Sequence, residues 1–508
     1  MTSKPIDLLL IQPGGRTTIY QALASTLTAV EPPVWAGLMA TYVRRRGHAV
    51  SLLDANAEDL APEEVALRVE DIKPRLVAVV SYGHQPSAST QTMPAASAFC
   101  RAIKERTPNQ YVALVGGHVA ALPERSLNEE AVDFILHDEG LVSLESLVSA
   151  LAAGDTGALS RVPGLGWREH LMPRMTTAAP LVTNLDEEVP GMAWDLIDVA
   201  KYRAHNWHAF GHPSRQPYVS LYTTLGCPYK CSFCCIQAPF KGGEAVAGMK
   251  ETTNSYRFWS PTRIVDDLTM LVEKHGVTHV KIADEMFVLN KRHVVGICDV
   301  IAERQLGLNI WAYARVDTVK PDMLEALKRG GVNWLALGIE AADERVQTDV
   351  GKRLAANSIR TIVQQIRDAG INVIGNYIFG LPEDDRSTMQ ATLDLAMELN
   401  CEFANFYTAM AYPGSALYRQ ALANGWELPA SWTGYSQHAP ETQPLPTKYL
   451  SAAEVLTFRD DAFIQYYRNA AYLSMVERKF GVETRNEVQA MTGHRLERRL
   501  LGSMRVPA

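Results

Sequence analysis

The segment Thr224-Leu-Gly-Cys227-Pro-Tyr-Lys-Cys231-Ser-Phe-Cys234 follows directly on the apolar run Tyr218–Thr223, and it constrains this chain more than any other stretch. Its three thiols, spaced four and three residues apart, fall on one tight loop at the end of a strand. They can meet three corners of a cubane iron–sulfur cluster and leave the fourth iron open. An open iron binds a ligand instead of only passing electrons. Two plainer readings stand beside this one. Cysteines can simply be buried apolar residues, or they can bind zinc, which normally takes two separated Cys/His pairs to build its tetrahedron. Cys235 adjoins Cys234, so its side chain is expected to point away, and no second Cys-x2-Cys pair occurs among the seven cysteines.

At 508 residues the chain exceeds what one core normally organises, so two or three domains are expected. A content of 47% hydrophobic and 21% charged residues is ordinary for a globular protein. The net charge of −7 argues against nucleic acid or an anionic membrane surface as a partner. There is no apolar run of about 18 residues or more, so no membrane span is expected. The opening residues Met1–Asp7 lack the basic-then-apolar pattern of a signal peptide. The cysteine pattern does not read as a disulfide framework. A reducing cytoplasmic location follows as an expectation. Neither internal repeats nor low-complexity segments are visible.

Residues 1–150 alternate short apolar runs with amphipathic stretches. Ile6–Ile11, Ala49–Leu53, Leu76–Val80, Tyr111–Val115 and Phe134–Leu136 read as buried parallel strands, with helices near 34–46, 62–71, 89–106 and 141–152. This succession predicts an α/β domain with a doubly wound parallel sheet, its ligand loops at the carboxyl ends of the strands. Those loops carry Gln12-Pro-Gly-Gly15, Asp54, Ser81-Tyr82-Gly83-His84, Gly116-Gly117-His118 and His137-Asp-Glu139-Gly140. The Gly-x-Gly-x-x-Gly fingerprint of a nicotinamide site is absent. His84 and His118 can equally be turn residues that cap backbone groups.

Residues 151–215 read as an irregular linker rich in Pro and Gly. From 216 to 418, strands at Tyr218–Thr223, Val280–Ala283, Asn309–Ala314, Trp334–Gly338, Asn372–Ile378 and Phe403–Met410 alternate with five helical patterns. The prediction is a partial (β/α)6 barrel whose chemistry lies at the strands' carboxyl ends. Polar residues end or interrupt those strands: Asp284 and Glu285, Arg315 with Asp317, Glu340, and Asn376 before Gly380-Leu-Pro-Glu383. Salt bridges that merely structure the barrel are the plainer account of them. Residues 419–508 form a mostly helical C-terminal extension, with one helix at about 451–479. Phe463, Tyr466, Tyr467 and Tyr472 lie on it at helical spacing, and most of them read as core. The loop 432–446 is either a substrate lid or a loop packed only for stability.

The Cys-x3-Cys-x2-Cys spacing, with Phe233 just before the last cysteine, resembles the radical S-adenosylmethionine superfamily. Ala411-Tyr-Pro-Gly-Ser-Ala-Leu-Tyr418 is similar to the stretch that closes the barrel in that family. Gly116-Gly-His-Val-Ala-Ala-Leu-Pro-Glu124, followed by Asp138-Glu-Gly140, resembles the cobalamin-binding domain that precedes many of its members. The order of all these motifs is that of the cobalamin-binding radical S-adenosylmethionine enzymes, over roughly residues 5–418. The resemblance implies a [4Fe-4S] cluster on Cys227, Cys231 and Cys234. It also implies contacts to S-adenosylmethionine from Phe233, Asp284, Glu285, Arg315, Glu340 and Asn376, and contacts to cobalamin from Tyr82, His84, Gly116, Gly117, His118 and Glu139. No Asp-x-His-x-x-Gly follows the first strand, which implies that no histidine of that loop ligates the cobalt.

The activity so implied is methylation of an unactivated carbon or phosphorus of a small-molecule substrate. One S-adenosylmethionine methylates the reduced corrinoid; another yields a 5′-deoxyadenosyl radical that activates the substrate. An external electron donor of flavodoxin or ferredoxin type is implied as partner. A cobalamin-dependent radical cyclase or ring-rearranging enzyme is the alternative with the same domains. From another class, a cobalamin-responsive sensor is the alternative, disfavoured by the polar strand ends of an intact barrel.

Overall fold

The computed structural model describes residues 5–83, 85, 87–154, 156–352 and 354–502. Its first sheet has seven strands. They are β1 (Leu8–Gln12), β2 (Val50–Asp54), β3 (Leu76–Val80), β4 (Tyr111–Val115), β5 (Phe134–Leu136), β6 (Leu165–Glu169) and β7 (Met172–Met175), in the order 2-1-3-4-5-6-7. The first five are parallel, and the last two join antiparallel. Leu8–Ile11 and Leu76–Val80 are buried throughout, as expected of strands covered by helices on both faces. The chain order reverses between β1 and β3, so the loops after these two strands flank the crevice where doubly wound sheets bind ligands. The hairpin β6–β7 lies inside the segment read as linker. It extends the sheet past β5 and covers what would have been an exposed edge.

After a connector with short helical turns come β8 (Tyr218–Leu221), β9 (Thr224–Gly226) and β10 (Tyr256–Phe258), then β11 (His279–Ile282), β12 (Asn309–Arg315), β13 (Val332–Glu340), β14 (Asn372–Phe379) and β15 (Phe403–Thr408). Six of these form one all-parallel sheet in the order 15-14-13-12-11-8, the predicted open (β/α)6 barrel. β9 and β10 pair antiparallel as a separate ribbon. No apolar run announces this ribbon, which ties down both ends of the segment carrying the cysteines.

The helix Val34–Arg44 explains how the two halves share a core. Nine of its eleven residues are buried, a pattern expected only of a helix enclosed on all sides. Gly37 is required there, because a Cβ would sit 2.7 Å from Met192 Cγ of the connector. Trp35 stacks on Tyr82 of the first sheet at 4.4 Å between ring centroids, and it also touches Tyr222 and Phe240 of the second half.

The predicted tail helix is broken. Ala452–Tyr467 and Ala470–Phe480 are separate helices, because Asn469 stops the first and caps the second by accepting from the backbone N–H groups of Ala471 and Tyr472. Tyr466, Tyr467 and Tyr472 are core, as expected, and do more than pack. Their hydroxyls donate to the carbonyls of Cys401, Ala404 and Glu402 at 2.6, 2.7 and 3.1 Å, satisfying the backbone at the edge strand β15. No helix among the described residues is long and apolar enough to cross a membrane.

Candidate functional site

The cysteine loop is braced from three directions. The Cys227 N–H donates to Gln237 Oε1 at 3.1 Å, and the Asn254 side chain donates to the carbonyls of Cys227 and Tyr229 at 2.9 and 2.8 Å. From the barrel, the Ser232 N–H reaches the Val350 carbonyl, while the Leu417 N–H donates to Ser232 O. Phe233 is partly buried against Ala341, Val350, Leu381 and Leu417, so it fixes the loop to the barrel ends. At the loop's base Gly226 has φ +88°, and a Cβ there would lie 2.4 Å from the Ser255 carbonyl oxygen.

Burial pushes the Cys227 thiol up to about 12 and raises Cys231 and Cys234 as well, the last strongly. Such thiols become thiolates only beside compensating positive charge, which bound iron supplies. Arg315 Nη1 lies 3.5 Å from Cys231 Sγ, and Lys352 also bears on that thiol. These cations suit an anionic cluster. Among the described residues no three His, Cys, Asp or Glu side chains are grouped to share one metal ion. A cubane instead seats each thiolate on its own iron.

The polar barrel-end residues are mostly paired. Asp284 accepts from the Thr223 N–H at 2.6 Å and from the hydroxyls of Thr223 and Thr224 at 2.5 and 2.8 Å, so it holds the strand leading into the cysteine loop. Arg315 forms a two-pronged pair with Asp317 and lies 4.0 Å from the Tyr229 ring. Glu340 sits at φ +65° where the β13–β14 register shifts, and its carboxylate meets Lys352 Nζ at 2.6 Å. Asn376 bonds Asn405 and the Leu337 carbonyl. Glu285 differs: among the described residues it bonds no other side chain. Burial, with the neighbouring Asp284 charge adding to it, pushes its carboxyl up to about 8.

In the first domain Tyr82 and Gly83 face the second half of the chain, and Gly117 lies with them in a narrow cleft beside Trp35, Tyr222, Cys235 and Glu285. Gly116 is needed because a Cβ would come 2.2 Å from the Ser81 carbonyl oxygen, where the β3 and β4 loops touch. His118 is a buried structural histidine in this geometry. Its Nδ1 meets Thr90 Oγ1 at 3.1 Å and its ring stands edge-on to Trp432, while burial takes its pKa down to about 3. Glu139 is held by Arg257 at 2.7 Å and by the Val182 N–H. His84 lies outside the described residues.

Between the two halves lies a cavity of about 1220 Å³. The first domain contributes Gln12, Gly14, Arg16, Tyr82 and Gln85, from the loops after β1 and β3. Opposite them, Lys281, Trp311, Tyr313, Ala336 and Tyr407 line the barrel lumen; Trp311 and Tyr313 share a face because strand side chains alternate. The tail adds His438 and Arg459, so the loop 432–446 is both packed and part of the wall. The Lys281 ammonium meets Glu31 of the first domain at 3.0 Å within this lining. These lumen residues were missed in the sequence; a lysine inside an apolar strand was the one available signal. The cavity exceeds the usual range of about 300–1,000 Å³ for small-ligand sites, so it has room for more than one small ligand. Four nitrogens in its lining, Arg16 Nε and Nη1, Trp311 Nε1 and His438 Nδ1, are buried without partners among the described residues. The cysteines do not line it; the Trp35–Tyr82–Tyr222 cluster stands on their side.

Comparison with known proteins fits this division. Residues 20–148 match the model of the B12 binding domain, and residues 221–396 match that of the radical SAM superfamily. An uncharacterised methyltransferase of Pyrococcus horikoshii is 27% identical over 91% of this chain and 93% of its own length. The anaerobic magnesium-protoporphyrin IX monomethyl ester cyclase of Rubrivivax gelatinosus is 25% identical over 79% of this chain and 68% of its own. Among solved structures, the radical S-adenosylmethionine methyltransferase TsrM of Kitasatospora setae, with cobalamin and a [4Fe-4S] cluster bound, superposes with a TM-score of 0.65. It is 16% identical, over 95% of this chain and 99% of that one.

Proposed function

We propose that this chain, which belongs to the cobalamin-binding radical S-adenosylmethionine enzymes, methylates an unactivated carbon or phosphorus of a small-molecule substrate. The observation that carries this reading is the cavity bounded on one side by the cobalamin-type sheet and on the other by the barrel lumen. Cluster, cobalamin and S-adenosylmethionine together supply a transferable methyl group and a radical able to activate the substrate. The chain's own residues position these groups and exclude water.

In this reading Cys227, Cys231 and Cys234 hold the cluster, with Arg315 and Lys352 offsetting its charge. The unpaired Glu285 takes the ammonium of S-adenosylmethionine, and Arg315, whose Nε and Nη2 hold Asp317, offers its remaining Nη1 to the carboxylate. Glu340 and Asn376 face the ribose, Asp284 keeps the loop in place, and Phe233 packs behind the cluster. Tyr82, Gly83 and Gly117 form the surface on which the corrinoid lies. Gly116 keeps that surface's loops in contact, while His118 and Glu139 support it from behind. The substrate occupies the aromatic barrel lumen. An external flavodoxin or ferredoxin delivers electrons.

The cyclase reading shares both domains, and the Rubrivivax relative keeps it in play. Anaerobically reconstituted protein, given reductant and S-adenosylmethionine, separates the possibilities. Release of 5′-deoxyadenosine together with cobalamin-dependent S-adenosylhomocysteine is the expected result. 5′-Deoxyadenosine without S-adenosylhomocysteine favours the cyclase, and neither product favours a sensor.

A further inference from the structure

Arg16 follows the Gly14-Gly15 turn after β1 and lines the first-domain wall of the cavity. Two of its guanidinium nitrogens, Nε and Nη1, are closed off from water and have no hydrogen-bond partner. Among the described residues Arg16 donates no hydrogen bond and joins no ion pair. Other arginines of the same cavity are differently placed. Arg459 donates to the Phe406 carbonyl and to Asp460, and Arg498 to Asp460 and the Gln437 carbonyl, all within 2.8–3.1 Å.

A second cation feels the charge of Arg16. Burial holds the Arg203 pKa below its ordinary value and the Arg16 charge lowers it further, and its Nε is also buried without a partner. Its Nη2 donates to the carbonyls of Ala24 and Ser25, which fixes the group in place. Guanidinium nitrogens shut off from water with their hydrogen bonds unmade are unfavourable, and a like charge acting on the group adds to the cost. An anion presented from the cavity would relieve both. The planar fork of arginine matches the oxygens of a phosphate group two at a time.

We propose that Arg16, backed by Arg203, anchors a phosphate-class anion at the first-domain edge of the cavity. That anion is either the phosphodiester in the nucleotide tail of bound cobalamin, which rests on the functional reading above, or an anionic group of the substrate. The chemistry recognised is the same in both cases.

Hydroxocobalamin, cobinamide (the corrin ring without its nucleotide tail) and inorganic pyrophosphate are titrated into the full-length wild type, R16Q and R16K, with circular dichroism melting as the fold check. R16Q is expected to weaken cobalamin or pyrophosphate roughly tenfold or more while leaving cobinamide unchanged, and R16K to recover part of the loss. A loss confined to cobalamin assigns the anion to the cofactor, and a loss confined to pyrophosphate assigns it to the substrate. Unchanged affinity for both, or an equal loss for cobinamide, overturns the proposal. Should the wild type take up no corrinoid, the cobalamin reading fails and the pyrophosphate arm alone decides: no pyrophosphate binding then overturns the site. If R16Q does not fold, R16K and R203Q are judged by the same criteria.

Discussion

Glu139, in the loop after β5, and Arg257 of the β9–β10 ribbon meet at 2.7 Å, with side chains only 2% and 8% exposed. Glu139 also accepts the Val182 N–H, and Arg257 donates to the Val182 carbonyl, so one residue of the connector is clamped between the two halves. Removing one partner of a buried pair typically costs about 3–5 kcal/mol, because the other charge is left uncompensated. Glu139→Ala is therefore expected to lower unfolding stability by about that amount in urea, with iron content per folded chain unchanged. An unaltered urea midpoint would contradict the clamp.

Gly226→Ala addresses the base of the cysteine loop. The residue lies at φ +88° with the Ser255 carbonyl 2.4 Å from where a Cβ would stand, so the loop must shift. We expect the variant to fold and to lose most of its iron and sulfide after anaerobic reconstitution. Wild-type iron content would show that the loop tolerates the shift.

Asn254→Ala removes the two hydrogen bonds that hold the carbonyls of Cys227 and Tyr229. The loop should remain, at a cost of about 1–3 kcal/mol for the unpaired acceptors. The expected sign is faster loss of iron to a chelator than in the wild type. Equal release rates would place the bracing elsewhere.

His118 gives a pH dependence whose sign follows from its burial. Its folded pKa, about 3, lies below the ordinary histidine value of 6.5, so the unfolded chain binds the proton first as pH falls. The stability it confers is complete above pH 6.5 and is lost progressively toward pH 3. Between pH 6.5 and 5 that amounts to about 2 kcal/mol, at about 1.4 kcal/mol per pH unit. His118→Gln should show a correspondingly shallower fall, though not a flat one, since buried His205, at about 4, titrates the same way in both proteins. Identical slopes for variant and wild type would count against the burial argument.

Most of the architecture could be read from the chain because its parallel strands are covered on both faces. Leu76–Val80, Tyr111–Val115 and Phe134–Leu136 stand out as continuous apolar runs with the boundaries expected. The hairpin Leu165–Met175 was not legible, since an edge with Arg168, Pro173 and Arg174 carries no such run. Side-chain partnerships were hidden for a different reason. Glu139 and Arg257 are 118 positions apart, and Lys281 meets Glu31 across 250, so no local pattern announces either pair. The three cysteines were legible because their relation is local. Asn254 and Lys352, which support that loop from afar, were not.

Methyl transfer is read from the fate of the methyl group itself. Reconstituted enzyme loaded with cobalamin is incubated with reductant, methyl-deuterated S-adenosylmethionine and its substrate, and the product is weighed by mass spectrometry. One deuterated methyl group is expected in the product, with S-adenosylhomocysteine and 5′-deoxyadenosine accumulating in near equal amounts. No product is expected from the variant with Cys227, Cys231 and Cys234 all changed to Ala. A product formed with 5′-deoxyadenosine but without the label would contradict methylation and leave the cyclase reading in its place.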